Sequence, residues 1–190
     1  MKTIIYAHPW EGSFNHSILE AIKKELDKSN EPYKIIDLYK ESFNPVFSPE
    51  ELRMYGIGET PYEKVKEYQK IIVDSSDLIF IFPIWWYDMP AILKGFLDKV
   101  MLKKFAYLEE NGVWTGLLTN IKKVNVITTA SMSKKDLTEN GNAIQGVFID
   151  SILTSLGIFK ENMKWIHIGD ITDPNNENRI KFLESLKNYI

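Results

Sequence analysis

The sequence predicts an α/β protein in which a doubly wound, five-stranded parallel sheet lies between two layers of helices. Two observations support this prediction. Short apolar runs alternate with amphipathic stretches along all 190 residues, as is typical of βαβ units. One run, at residues 78–82, is apolar on both faces, which indicates a central strand covered by helices on both sides. Right-handed crossovers then favour the strand order 2-1-3-4-5.

The periodicity places the individual elements. Strands are predicted at residues 3–7, 34–37, 78–82, 125–128 and 164–168, and helices at 15–28, 62–75, 91–101, 143–156 and 177–188. In the first helix, Leu19, Ile22 and Leu26 recur at the three- and four-residue spacing of one buried face. Residues 42–61 contain three prolines and two glycines, so we expect an irregular, functional loop there. No change of composition marks a second domain, and we expect residues 1–190 to form one.

The composition excludes several classes of function. The net charge is −3 and cysteine is absent, which excludes disulfides, zinc–thiolate sites and cysteine nucleophiles. The weak acidity argues against a nucleic-acid partner. The N-terminal apolar run is too short for a signal peptide, and no apolar run reaches the ~20 residues of a membrane span. We therefore expect a soluble cytoplasmic protein with no metal site, no nucleic-acid partner and no membrane insertion.

A loop of three consecutive aromatic residues follows the central strand. Pro83 ends the apolar run, and Ile84 leads into Trp85, Trp86 and Tyr87. Three adjacent rings cannot all face one core, so we expect at least one to be free to stack on a planar group. Ligands of open α/β sheets bind at the carboxyl ends of central strands. A packed loop or an oligomer contact is the alternative interpretation of this segment alone.

A second candidate site lies where the first strand passes into the first helix. Ser13 and Asn15 stand at the predicted N-terminus of that helix, where free N–H groups and the helix dipole favour anions. The segment has neither the G-K-[ST] of a P-loop nor G-x-G-x-x-G, which argues against a Walker ATPase and a standard dinucleotide fingerprint. In the order 2-1-3-4-5 it adjoins the aromatic loop, which suits a phosphate joined to a planar ring. On local sequence alone, both residues can instead be helix caps, and His8 an ordinary polar residue.

Further along the chain, several segments match one known enzyme family. The matching residues are Ala7-His8-Pro9, Ser13-Phe14-Asn15, Asp37-Leu38-Tyr39, Phe43-Asn44-Pro45, Phe82-Pro83 with Trp86, Pro90-Ala91-Ile92-Leu93-Lys94-Gly95-Phe96, Phe105-Ala106-Tyr107 and Thr128-Thr129. They follow the family's order over nearly the whole chain, and segment 90–95 is specific. The sequence resembles the flavodoxin-like NAD(P)H:quinone oxidoreductase family, also described as NAD(P)H dehydrogenase (quinone).

The resemblance implies a bound flavin, FMN or FAD, with NAD(P)H as co-substrate, and a homodimer with active sites at the subunit interface. It implies that His8, Ser13, Phe14 and Asn15 hold the flavin phosphate region, that Pro83, Ile84, Trp85, Trp86 and Tyr87 line the isoalloxazine, and that Thr128, Thr129 and Ala130 contact its polar edge. Tyr107 would reach towards the partner subunit, and Tyr107 and Trp86 are the residues expected to take part in catalysis. FAD needs room for an adenosine arm, so the compact chain favours FMN.

The chain departs from that family after Thr129. Ala130 and Ser131 replace a pair of glycines, and no tyrosine or histidine occurs between Thr129 and Trp165. The tyrosine–histidine pair that accompanies hydride transfer in the family therefore has no counterpart here. The implied function is hydride transfer from NAD(P)H through the flavin to a quinone, nitroaromatic or azo acceptor. A flavodoxin-type electron carrier, a regulatory flavoprotein of a potassium-efflux system and a phosphate-binding protein of the same fold are the alternatives.

Overall fold

The computed structural model describes residues 1–173 and 176–190. The strands are β1 (Lys2–Tyr6), β2 (Tyr33–Asp37), β3 (Asp77–Pro83), β4 (Tyr107–Glu110), β5 (Val113–Gly116), β6 (Lys123–Thr129) and β7 (Met163–Ile168). The α-helices are α1 (Phe14–Ser29), α2 (Pro49–Tyr55), α3 (Glu63–Val73), α4 (Ala91–Val100), α5 (Lys134–Glu139) and α6 (Glu177–Ser185). A π-helix spans Ala143–Leu153, and short 3-10 turns span Lys160–Asn162 and Leu186–Asn188.

Five of the strands form one parallel sheet in the order β2-β1-β3-β6-β7. Since β6 and β7 are the fourth and fifth strands of this sheet along the chain, the predicted order 2-1-3-4-5 is confirmed. Side chains alternate between the two faces of a strand, so each face carries its own apolar cluster. One cluster joins Ile79 to α1, and the other joins Phe80 to α3, α4 and the π-helix. The predicted three-layer α/β/α sandwich is therefore confirmed.

The prediction of an irregular stretch at residues 42–61 is wrong in its middle, where α2 forms. Ser48 and Glu51 make a reciprocal capping box, and Pro49 stands at the start of the helix. Ser133 and Asp136 cap the unpredicted helix α5 in the same way. In both places, a serine is followed three residues later by an acidic residue, which is a helix-start signal. The prediction relied on longer apolar patterns and did not use this signal.

The antiparallel hairpin β4–β5 is a further unpredicted element. The indole of Trp114 stacks on the ring of Tyr107, with the ring centres 3.8 Å apart and the planes 8° from parallel. Gly116 touches the backbone after the π-helix, because a Cβ on Gly116 would lie 2.0 Å from the nitrogen of Gly157. Strands of four residues carry too little alternation to be found by pattern, and these contacts come from distant parts of the chain.

A buried ion pair holds residues 42–61 against α4. Nζ of Lys99 lies 2.8 Å from Oε1 of Glu51, and the two side chains are 5% and 4% exposed. Lys99 also donates to the carbonyls of Asn44 at 2.8 Å and Val46 at 3.1 Å. Paired charges with their remaining hydrogen bonds satisfied tolerate burial, whereas a single buried charge does not. The segment is thus tied to α4 through one ammonium group.

We expect Lys99→Met to lower the free energy of unfolding by about 3–5 kcal/mol, because Glu51 keeps a buried carboxylate with no counter-charge. Urea unfolding followed by circular dichroism measures the loss. Lys94→Met is the matched control on the same helix, since the pair between Lys94 and Asp98 is exposed and is worth at most about 1 kcal/mol. Equal losses in the two variants would contradict the assignment.

Candidate functional site

Three loops meet at the carboxyl edge of the sheet, following the neighbouring strands β1, β3 and β6. The imidazole of His8, after β1, lies 6.1 Å from the indole of Trp85, after β3, measured between ring centres. The N–H of Ile84 donates to the carbonyl of Thr129 at the end of β6, at 2.8 Å. The amide of Asn15 donates to Oγ1 of Thr129, also at 2.8 Å. The structure therefore brings together three segments that are far apart in sequence.

The first loop leads into the N-terminus of α1. Ser13 is the N-cap, and its hydroxyl accepts from the N–H of His16 at 3.1 Å, so capping is one part of its role. The N–H groups of Phe14 and Asn15 precede any helical carbonyl that could accept from them, and they stand at the positive end of the helix dipole. The ring of Phe14 packs against Phe182, which leaves its backbone as the group available to a ligand.

Asn15 carries unused hydrogen-bonding capacity beside this helix N-terminus. Its side chain is 2% exposed, and Oδ1 is buried without a partner among the described residues. The Thr129 hydroxyl can accept from Nδ2 or donate to Oδ1. In either orientation of the amide, one end forms a hydrogen bond with Thr129 and the other end has no hydrogen-bond partner among the described residues. Buried polar groups are nearly always paired in native proteins, so this amide fits a polar ligand such as a phosphate ester or a polyol.

The second loop is a strained turn. Trp85 and Asp88 exchange two backbone hydrogen bonds of 3.0 and 3.2 Å, and Trp86 and Tyr87 between them have φ angles of 50° and 68°. This is the geometry of a type I′ turn, which usually takes Asn-Gly. The left-handed region costs a residue with a Cβ roughly 1–2 kcal/mol. Strain of this kind is concentrated at functional sites, and the sequence pattern did not predict it.

The turn decides which aromatic rings are free. Trp86 is 95% exposed, while Trp85 and Tyr87 are each somewhat over 40% exposed, which confirms that at least one ring of the triplet lies outside the core. Pro83 and Ile84 are buried, and they contribute backbone rather than side chains to the surface of the site.

The third loop follows two adjacent threonines at the end of β6, which make different hydrogen bonds. Both are fully buried, but they point to opposite faces of β6. Thr129 binds Asn15, whereas the Thr128 hydroxyl lies 2.8 Å from Nε1 of Trp165 and 2.8 Å from Nδ1 of His167. Thr128 therefore has its hydrogen bonds within the protein. The N–H of Ala130 donates to the carbonyl of Ile168 at 3.1 Å, which ties the start of this loop to β7.

Tyr107 lies apart from these loops within one chain. It begins β4, is buried under Trp114, and burial raises the pKa of its phenol to about 12. Among the described residues, no hydrogen bond or ring contact joins Tyr107 to the three loops. Its predicted role at a subunit interface stays a prediction.

His8 is the ionisable group at the mouth of the site. Its Nδ1 lies 3.1 Å from the N–H and 3.2 Å from the carbonyl of Trp10, so the neutral ring accepts from the first and the protonated ring donates to the second. Burial lowers the pKa of His8 below its usual value. The neutral ring therefore predominates at pH 7.

A cavity adjoins the site, whereas metal-binding clusters and membrane-spanning helices are absent from the part of the chain that the structure describes. A cavity of about 610 Å³ lies beside it, between α1 and the end of β2, and touches the loops at His8 and Pro9. Within residues 1–173 and 176–190, no group of three or more acidic or histidine side chains could hold a metal ion. None of the helices in this part of the chain is long and apolar enough to cross a bilayer.

Comparison with known proteins places the chain among flavodoxin-like proteins. An uncharacterised NAD(P)H oxidoreductase of Haemophilus influenzae is 34% identical over 171 residues, which cover 88% of this chain and 83% of that protein. The alignments with several other curated relatives, which include ribosyldihydronicotinamide dehydrogenase [quinone] of rat and mouse, cover about half to two thirds of those proteins.

Solved structures show the same fold. NAD(P)H:quinone oxidoreductase from Methanothermobacter marburgensis has a TM-score of 0.87 and 29% identity, over 98% of this chain and 95% of that one. An FMN-dependent NADH-azoreductase of Bacillus anthracis in complex with FMN has a TM-score of 0.76 at 16% identity, over 98% of this chain and 95% of that one. The family model for the flavodoxin-like fold matches residues 2–189, and this chain belongs to that family.

Proposed function

We propose that this protein is a flavin-dependent NAD(P)H oxidoreductase that holds FMN and reduces a quinone or a similar small aromatic acceptor. The observation that carries the proposal is the meeting of two complementary sites at one edge of the sheet. A helix N-terminus with an unsatisfied Asn15 amide fits a phosphate and its polyol chain. A strained aromatic turn beside it fits a planar ring. Two structural relatives bind FMN, and relatives of higher identity are NAD(P)H oxidoreductases, which supports the same assignment.

The residues of this chain bind and orient the cofactor. The N–H groups of Phe14 and Asn15 and the dipole of α1 would hold the phosphate, with His8 at the mouth of the site. The backbone N–H groups of Trp86 and Tyr87 would be fixed donors towards the ring, and preorganised donors stabilise negative charge without rearrangement. Thr129 would keep the Asn15 amide in place. When bound, the flavin supplies the hydride chemistry.

We also propose that the protein is a cytoplasmic homodimer of one-domain subunits. Large apolar side chains stand half or more exposed at Trp10, Leu52, Trp86 and Val113, and a subunit interface that covered them would remove apolar surface from water. In a homodimer, Tyr107 and Trp86 would be the residues closest to the reaction, as the family resemblance implies.

The purified protein is expected to carry a yellow flavin chromophore that is released as FMN, and to oxidise NADPH or NADH rapidly only when benzoquinone is present. Chromatography of the released flavin and spectrophotometry of nicotinamide oxidation measure both properties, with flavin-stripped protein as the control. A flavin-loaded protein that oxidises neither nucleotide would end the enzyme assignment. Light scattering on the same preparation tests the dimer, which a mass near 22.1 kDa would exclude.

Asn15→Ala is expected to weaken FMN binding about tenfold. The variant removes the amide that faces the ligand, and a lost hydrogen bond to a charged or buried group is worth about 1–3 kcal/mol. Quenching of flavin fluorescence measures the dissociation constant. Asn188→Ala is the matched control, because Asn188 is exposed and the adjacent Tyr189 carbonyl binds Asn125 at the opposite edge of the sheet. Unchanged FMN affinity in Asn15→Ala would contradict the proposed phosphate site.

Trp86→Gly and Trp86→Ala separate the strain of the turn from the loss of the ring. Both variants lack the indole, which is nearly fully exposed, but glycine alone adopts the left-handed conformation freely. We expect the flavin-free glycine variant to be about 1 kcal/mol more stable than the alanine variant. In the middle of a helix or strand, by contrast, glycine is less stable than alanine by about 0.5–1 kcal/mol. Thermal unfolding measures the difference. A glycine variant that is less stable than the alanine variant would show that the turn is unstrained.

A further inference from the structure

A chain of hydrogen bonds runs from β6 and β7 into the third loop of the site. The indole Nε1 of Trp165 lies 2.8 Å from Oγ1 of Thr128, which lies 2.8 Å from Nδ1 of His167. The other ring nitrogen of His167, Nε2, lies 2.9 Å from the carbonyl oxygen of Met132. Thr128 and His167 are direct partners in the register of the two strands, so the chain is built into the sheet.

Donor and acceptor chemistry fixes the direction of every bond in this chain. An indole N–H can only donate and a carbonyl can only accept. Nε2 of His167 must therefore carry the hydrogen that is donated to Met132, and in the neutral ring Nδ1 accepts from the Thr128 hydroxyl. The Thr128 oxygen accepts in turn from Trp165. Only the neutral Nε2–H tautomer of His167 satisfies all these groups at once.

We propose that His167 is a positioning residue that fixes the backbone of segment 130–132, the third loop of the site, through its bond to Met132. This inference rests on the proposed flavin function. The loop carries Ala130 directly after Thr129, the residue that holds the Asn15 amide. Its other anchors are backbone bonds from Ala130, Asp170 and Ile171, and a Cβ on Gly169 would lie 2.7 Å from the Met132 oxygen. His167 is the side chain that donates a hydrogen bond to the Met132 carbonyl of this loop.

The surroundings of His167 favour its neutral form, chiefly through burial. From α5, Lys134 lies over the Trp165 ring at 4.5 Å and donates to the Trp165 carbonyl at 3.0 Å. Lys164 comes from β7 itself. Asp170, Asp173, Arg179 and Lys181 line the cavity that His167 also borders. Burial, and then the nearby Lys134, lower the pKa of His167 below its usual value.

Protonation would change the chain at one defined place. A proton on Nδ1 turns that atom from an acceptor into a donor to the Thr128 oxygen, so the Thr128 hydroxyl hydrogen loses its acceptor, while the bond from Nε2 to Met132 is kept. Because the folded-state pKa is lowered, the native protein resists a proton that the unfolded chain accepts. The stability contributed by neutral His167 is therefore complete above the unfolded value of about 6.5. It is lost as the pH falls through the lower folded value, although the bond to Met132 persists.

Two variants divide the functions of the His167 ring. His167→Gln places an amide N–H near the position of Nε2, so it keeps a donor for Met132 and cannot titrate in this range. His167→Asn places an amide oxygen near Nδ1, so it keeps the acceptor for Thr128 but releases Met132. We expect His167→Asn to bind FMN about fivefold more weakly at pH 7.5, the size of effect expected for one neutral hydrogen bond, while His167→Gln binds within twofold of the wild type.

A second measurement is the free energy of unfolding between pH 5 and 8 for the wild type and His167→Gln. The two proteins share all their other titratable groups, so the difference between the two curves belongs to His167. We expect the free energy of unfolding to fall in acid more steeply in the wild type than in His167→Gln. Full FMN affinity in His167→Asn would overturn the proposal, and parallel unfolding curves would overturn the neutral state of His167 on which it rests.

Nitrogen-15 NMR of the His167 ring tests the positioning role separately from the flavin function. The flavin-free wild type should show the Nε2–H tautomer, and amide exchange at Met132 and Ser133 should be faster in His167→Asn than in His167→Gln. A protein that binds no flavin but shows this tautomer and this exchange pattern would contradict the proposed function and support the role of His167. The Nδ1–H tautomer would contradict that role whatever the flavin result.

Discussion

The site depends on the parallel pairing of β1, β3 and β6. Parallel strands end at the same edge of a sheet, so their following loops converge however far apart they are in the chain. The hydrogen bond between Asn15 and Thr129, which are 114 residues apart, joins the segment after β1 to the end of β6 across the carboxyl end of β3. The helix N-terminus, the aromatic turn and the loop after β6 then form one surface. A change of register in any of these pairs would separate them.

An unsatisfied amide and two strained backbone positions lie at that surface. The Asn15 amide retains a buried oxygen without a partner, and Trp86 and Tyr87 hold a backbone conformation that suits glycine better. By contrast, Lys99 of the buried Lys99–Glu51 pair has its remaining hydrogen bonds filled by backbone carbonyls. Unsatisfied and strained groups such as Asn15, Trp86 and Tyr87 are expected at a ligand site, because the bound group supplies the missing contacts and compensates the strain.

The loop after β6 shows how this chain replaces a feature of its relatives. Where the resembling family has two glycines, this chain has Ala130 and Ser131. Glycines make a loop adaptable at an entropic cost, and residues with a Cβ do not. Here the loop is held from β7 by backbone bonds and by the imidazole of His167. A stiffer loop suits a site in which the polar contacts to a ligand are already in place before the ligand binds. The tyrosine–histidine pair of the resembling family has no counterpart in this loop.

The sequence by itself determined the α/β class, the order of the strands and the position of the candidate site at their carboxyl ends. These follow from local periodicity and from the handedness of crossovers, which depend on neighbouring residues and general chirality. Only the tertiary structure decided that Thr129 binds Asn15 while Thr128 faces Trp165 and His167, and that Tyr107 stacks beneath Trp114. It also decided the left-handed turn at Trp86 and Tyr87. Each of these depends on the register between strands or on contacts between distant segments, and a linear pattern does not show which distant partner a polar side chain will meet.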